Sequence, residues 1–192
     1  MRFFEDEPVH ATRSGADWEL HRKARQAHSG PPQDEIGVPA LSAFTLARSS
    51  DVVVALGGVT AYSDGLLLHV VVLFADEQKR ELLDWSLQEF SRSPGRFRLG
   101  VQFPNGRRAA TGTGDAPPLE APQDQAVLML LGNAAGPLRW HGDYWLWPLP
   151  EPGKMVLATC WPDRGIDETL LSIESSPLVS AAATSGPVWG AS

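Results

Sequence analysis

The stretch RWHGDYWLWPLPEPGK, Arg139 to Lys154, is where this chain concentrates side chains able to do chemistry. His141 and Asp143 stand two residues apart, so on a strand they share one face. Such a pair could move a proton or supply two of the three or four ligands that a metal ion needs. Trp140 and Tyr144 bracket the pair and could stack on a sugar or another small ligand. Trp140, His141, Asp143 and Tyr144 are therefore the candidate ligand-binding residues. No other histidine is patterned to join them. His10, His21 and His28 lie in a polar N-terminal segment, and His69 sits mid-strand among Leu and Val, where it reads as a hydrogen-bonded face or interior histidine. No bound metal is expected, and no catalytic residue is assigned.

Other chemistries lack their signatures. The sequence contains no G-x-S-x-G elbow, no P-loop and no dinucleotide fingerprint. Gly112-Thr113-Gly114 runs into Asp-Ala-Pro-Pro, which does not open a helix over a phosphate. No cofactor is expected. Cys160, the single cysteine, stands beside Trp161 and reads as a buried, unreactive thiol. Asp163, Asp167 and Glu168 read as a solvated acidic turn.

A formal charge of -7 disfavours a nucleic-acid partner, since phosphate backbones reward clustered Lys and Arg. The densest basic run, His21 to Arg25, lies beside Asp17 and Glu19. One cysteine allows no internal disulfide. Glu5, Asp6 and Glu7 fall where the apolar core of a signal peptide would begin. The longest apolar run, Leu66 to Ala75, is broken by His69 and falls short of the ~20 residues that span a bilayer. The expectation is a cytoplasmic protein that neither enters a membrane nor binds nucleic acid.

The elements that must position these residues are strands. Residues 1–33 are polar and aperiodic and close on SGPPQDE, which marks a flexible N-terminal arm, with one short helix over Ser14 to Ala27. Residues 34–192 then read as a single β-sandwich domain. VPALSAFTLAR is a first strand. DVVVALGGVTAYSDGLLLHVVVLFA is a hairpin turning at Ser63-Asp64-Gly65, where Asp-Gly supplies a positive φ. Both its arms look apolar on both faces, and Gly57-Gly58 marks a bulge. A helix follows from Asp76 to Phe90. RFRLGVQFPNGRRAAT alternates cleanly, with Phe97, Leu99, Val101 and Phe103 on one face, and turns at Asn105-Gly106. Gly112 to Gln125 is a Gly/Pro loop, and AVLMLLG is a buried strand.

In DYWLWPLP the alternation puts Trp145 and Trp147 on one face and Tyr144 and Leu146 on the other, which favours core packing. This strand should pair with KMVLATCWP across Glu151-Pro152-Gly153. ETLLSIES is a last strand, and Ser176 caps a short terminal helix with Pro177 at its first position. The sum is an all-β fold: an antiparallel β-sandwich of about eight or nine strands with one or two short helices.

Three of these stretches, DVVVALGGVTAYSDG, RLGVQFPNGR and YWLWPLPEPGK…CWPDRGIDET, together resemble small uncharacterised actinobacterial proteins. In those a GVxAY strand, an LGVxFxxGR hairpin and a YWLWPLPPPG strand recur in this order. The resemblance spans Val38 to Ala183. It implies a single domain in a cytoplasmic bacterial setting and carries over no activity and no site residue. The function expected is a non-enzymatic module for protein–protein interaction, with a regulatory or assembly role and another protein as partner. The alternatives are a carbohydrate- or small-ligand-binding sandwich using Trp140, Tyr144 and the 112–125 loop, and an enzyme with an acid–base site near His141, Asp143 or Asp163.

Overall fold

The structure, a computed structural model, describes residues 30–76, 95–111 and 126–189. The arm up to residue 29, the helix expected after Asp76 and the 112–125 loop lie outside the described residues.

Ten strands in two antiparallel sheets make up the described fold. The larger sheet takes β1 (Val38–Leu41), β2 (Phe44–Arg48), β3 (Val52–Ala61), β4 (Leu66–Phe74), β7 (Val127–Ala135) and β8 (Arg139–Trp147). Its order is β1-β3-β4-β8-β7, with β2 sharing the β3 edge with β1. The smaller sheet, ordered β10-β9-β5-β6, takes β5 (Arg98–Gln102), β6 (Arg108–Ala110), β9 (Lys154–Trp161) and β10 (Ile166–Glu174). A 3-10 turn at Pro162–Arg164 and one helix, α1 (Ser176–Ala182), complete it. No helix among the described residues is long and apolar enough to cross a membrane.

Alternation builds the core. Val52, Val54, Leu56, Val59 and Ala61 of β3 and Leu66, Leu68, Val70, Val72 and Phe74 of β4 face inward. They meet Leu99, Val101, Met155, Leu157 and Trp161 of the smaller sheet in one hydrophobic cluster. Phe97 packs edge-on against Trp161 at 5.4 Å. Burial of this kind contributes roughly 1.5–3 kcal/mol per large aliphatic or Phe side chain.

Several expectations need correction. VPALSAFTLAR forms two strands, both paired with β3, with register shifts inside β1 between Pro39 and Leu41 and inside β2 between Thr45 and Ala47. β8 and β9 do not pair with each other. They belong to different sheets, and Pro148 to Gly153 carries the chain between them. Three prolines leave this link too few amide donors for a hairpin. It is held instead by Leu149 N–H donating to Asp64 O at 2.7 Å, and by the Ser175 hydroxyl lying 2.6 Å from Glu151 O and 2.9 Å from Gly153 O. The N-cap of α1 is thus Ser175 rather than Ser176, and its side chain serves the link instead of the helix.

The hairpin turn also departs from expectation. Gly106 at the β5–β6 turn has φ 86°, as its Asn-Gly turn requires, but Gly65 is not in the left-handed region. Gly65 is needed for space: a Cβ there would stand 2.5 Å from Trp145 Cζ2 and 2.7 Å from Leu146 O.

The N-terminal boundary of the folded body is tied down. Glu35 accepts hydrogen bonds from the Ser63 amide and hydroxyl and from the Ser185 hydroxyl, at 3.0, 2.6 and 3.0 Å. Val188 N–H donates to Asp34 O at 2.7 Å.

Candidate functional site

The outer face of the larger sheet holds the chemistry. Registers across β3, β4, β8 and β7 arrange its side chains in transverse rows, since directly opposed residues share a face. One row is Val53, Leu73 and Arg139; the next is Ala55, Val71, His141 and Ala134. Then come Gly58, His69, Asp143 and Gly132, followed by Thr60, Leu67, Trp145 and Met129.

The His69 row is built unlike the others. It ends in glycine on both sides, so no side chain walls the histidine and carboxylate. Both flanking strands bulge beside it, β3 between Leu56 and Gly58 and β7 between Leu130 and Gly132. Bulges re-aim side chains and gather near functional sites. The result is an open depression of about 600 Å³, lined in part by His69, Val71, Ala134, Arg139, His141 and Asp143.

From its His69 and Asp143 a hydrogen-bonded chain crosses three strands. His69 Nδ1 lies 2.8 Å from Asp143 Oδ1, and His69 Nε2 lies 2.8 Å from Thr60 Oγ1. An ionised Asp143 only accepts, so Nδ1 carries a proton, and in the neutral ring Nε2 accepts from the Thr60 hydroxyl. The Thr60 methyl lies close against Gly37. A Cβ at Gly37 would collide with Thr60 Cγ2 and the Tyr62 ring, so only glycine lets the chain entering β1 approach this closely. Burial, aided by the negative charges of Asp143 and Glu35, raises the Tyr62 phenol above its ordinary value and keeps it protonated.

Trp145 stands in the row beyond Asp143. It belongs to the outer face yet is 0% exposed, packed edge-on against Tyr62 at 5.8 Å and close against Gly65. Its indole N–H has no hydrogen-bond partner.

The four candidate residues therefore separate. His141 and Asp143 do share the outer face, with His141 exposed and Asp143 bound to His69. Trp140 and Tyr144 lie on the inner face, each 4% exposed within the core, so neither ring offers a face to a ligand. Burial also raises the Tyr144 hydroxyl far above its ordinary value. Trp147 is half-buried. Asp163 is exposed in the turn after β9, Asp167 is exposed in β10 rather than in that turn, and Cys160 is buried. No group of three or more His, Cys, Asp or Glu side chains among the described residues could hold a metal ion.

Sequence reasoning missed Thr60 and His69 as partners. The available signal was His69 itself, the one polar residue in LLLHVVVLF. A polar group set in apolar strand surface needs a hydrogen-bonding partner, and the Gly-Gly pair one strand earlier is the space made for it.

Comparison with known proteins returns no matching family model, no matching curated protein and no matching solved structure.

Proposed function

We propose that the protein is a non-enzymatic binding module that holds a protein partner on the outer face of its larger sheet, in the cytoplasm of a bacterium. The observation that carries this reading is the His69 row: two strand bulges and two glycines open the sheet around one fixed histidine–carboxylate pair. Apolar groups stand beside it, with Leu73 and Leu138 each 44% exposed at the same end. Phe74 N–H donates to Leu138 O, which joins these two leucines' segments. Exposed aliphatic surface bordered by polar groups is the usual composition of a protein-binding patch. The setting rests on the actinobacterial resemblance and the single cysteine. The partner's role, regulatory or assembly, follows from its identity.

Affinity capture with the parent protein, His69→Ala and Leu73→Asp tests this. A partner held by the parent and lost by both variants, at unchanged melting temperature, supports the reading. A partner retained by both variants overturns it.

One observation favours the acid–base alternative. Thr60, His69 and Asp143 connect in the order hydroxyl, imidazole, carboxylate that general-base activation of a nucleophile uses. It ranks second because the amides around Thr60 belong to the ladders with β1 and β4. They are not turned toward an oxyanion, and one such donor contributes roughly 10²–10³ in rate. Turnover of an activated ester, abolished by Thr60→Val, would reverse this ranking. The carbohydrate reading loses its platform with Trp140 and Tyr144 in the core.

A further inference from the structure

We propose that the partner segment held on the outer face of the larger sheet is acidic, with two carboxylates spaced to meet Arg48 and Arg139 and an apolar side chain between them. This rests on the protein-binding reading of that face and names the chemistry the face selects.

The first transverse row reaches one strand further than β3, β4 and β8. Arg48 of β2 stands opposite Val53, Val53 opposite Leu73, and Leu73 opposite Arg139. Opposed residues share a face, so the row runs Arg48, Val53, Leu73, Arg139. Val53 is half-buried, while Leu73 and both arginines are exposed. Leu138, also exposed, precedes Arg139 in the chain. Neither guanidinium has a hydrogen-bond or ion-pair partner among the described residues, and neither does His141 in the next row. The one carboxylate in the four rows, Asp143, is taken by His69. At this end of the sheet Asp51 accepts from the Ser50 hydroxyl, and Asp76 has contacts of its own. In a chain of net charge -7, the charge left uncommitted on this face is positive.

Spacing defines the segment that fits. Neighbouring strands lie about 4.8 Å apart, so three steps put the two arginine Cα atoms about 14 Å apart. An extended chain rises about 3.3 Å per residue, so residues i and i+4 stand about 13 Å apart on one face. Residue i+2 shares that face and falls over Val53 and Leu73. The matching pattern is acidic-x-apolar-x-acidic. Each guanidinium offers a carboxylate a planar fork of donors, and the aliphatic floor gives the middle side chain apolar surface to bury. A nucleic acid fits less well. Its affinity comes from many basic contacts along the backbone, and the floor between these arginines carries no aromatic ring on which a base could stack.

Titration of the nitrogen-15-labelled full chain tests this, with a peptide of core Glu-Thr-Leu-Thr-Glu, its counterpart Lys-Thr-Leu-Thr-Lys, and single-stranded oligothymidylate. The acidic peptide is expected to shift the amides of Val53, Leu73 and Arg139 at concentrations up to about 1 mM, and the lysine peptide is not. The double variant Arg48→Glu/Arg139→Glu changes two exposed positions and should melt as the parent does. It should bind the acidic peptide at least tenfold more weakly and acquire binding of the lysine peptide. No shift with the acidic peptide, equal binding of both peptides by the parent, or tighter binding of the oligonucleotide would overturn the proposal. Affinity capture separates this from the reading beneath it. A partner lost with His69→Ala and Leu73→Asp but kept by the double arginine variant overturns the acidic pattern alone. Acidic-peptide binding together with a captured partner indifferent to His69→Ala and Leu73→Asp overturns the His69 reading and leaves the arginine row standing.

Discussion

Replacing Gly65 by Ala should destabilise the protein by about 3 kcal/mol, the upper end of the usual cost of overpacking. The added methyl would stand 2.5 and 2.6 Å from Trp145 Cζ2 and Cη2 and 2.7 Å from Leu146 O. Carbon atoms in contact prefer about 3.5–4.0 Å, so roughly 1 Å of movement is required. Little of it is available. Trp145 has no exposed surface to yield into, and Leu146 O belongs to a central strand paired on both sides. For a domain of this size the loss corresponds to a melting temperature lower by roughly 6–12 °C.

The assay is thermal or urea unfolding of Gly65→Ala, Gly65→Asn and the double variant Gly65→Ala/Trp145→Leu. Asn is tolerated where glycine supplies a left-handed φ, so at Gly106, with φ 86° and nothing within 4 Å of a built Cβ, Asn is the mild change. At Gly65 Asn should be worse than Ala. The double variant should cost less than the sum of its singles by at least about 1 kcal/mol, because the smaller side chain vacates the space. An unchanged midpoint for Gly65→Ala, or additivity in the double variant, would refute the packing of Trp145 beneath this turn.

Two further outcomes follow from the electrostatics. Burial alone would raise the Glu35 carboxyl, but hydrogen bonds from Ser63 and Ser185 outweigh it and hold the group below its ordinary value. Its contribution is therefore present above the unfolded carboxylate value and lost as pH falls through the folded one. Asp64 has the opposite sign. Burial, then the charge of Glu35, raises it, and its Oδ1 has no hydrogen-bond partner, so its contribution is lost as pH rises through the folded value. Asp64→Asn should raise the melting temperature near neutral pH and have no effect in acid, whereas Glu35→Gln should lower it near neutral pH; melting against pH reads both. In the neutral ring, nitrogen-15 spectra should show His69 protonated at Nδ1, and Asp143→Ala should release that preference. A neutral ring protonated at Nε2 in the parent would contradict the order of the hydrogen-bonded chain.

The fold was legible where one period governed one face. β5 alternates because one face is core, and the Asn105-Gly106 turn announces itself by a residue type only that φ favours. β3 and β4 were harder. Their half-exposed outer residues are as apolar as their inner ones, so a sheet open on one side read as one covered on both. AVLMLLG read as buried for the same reason, although its strand runs on to Ala135 along an exposed edge. The site was legible by half. Asp143 was found from local spacing, but its partner His69 is 74 positions away in sequence and reaches it only through the β4–β8 register. The spacing that picked out His141 describes two side chains on one strand. It carries no information about the neighbouring strand, where the hydrogen bond is made.

The contact between Asp34 and Val188 makes the folded body a loop closed at its neck. Asp34 and Val188 lie one hydrogen bond apart, so the two ends of this body meet at one corner. Such a body suits insertion into a host loop without prying its ends apart. It also suits circular permutation. A short Gly/Ser bridge across the neck and new ends opened at Asn105-Gly106, in an exposed turn of the other sheet, would leave every strand pairing of the His69 row unbroken.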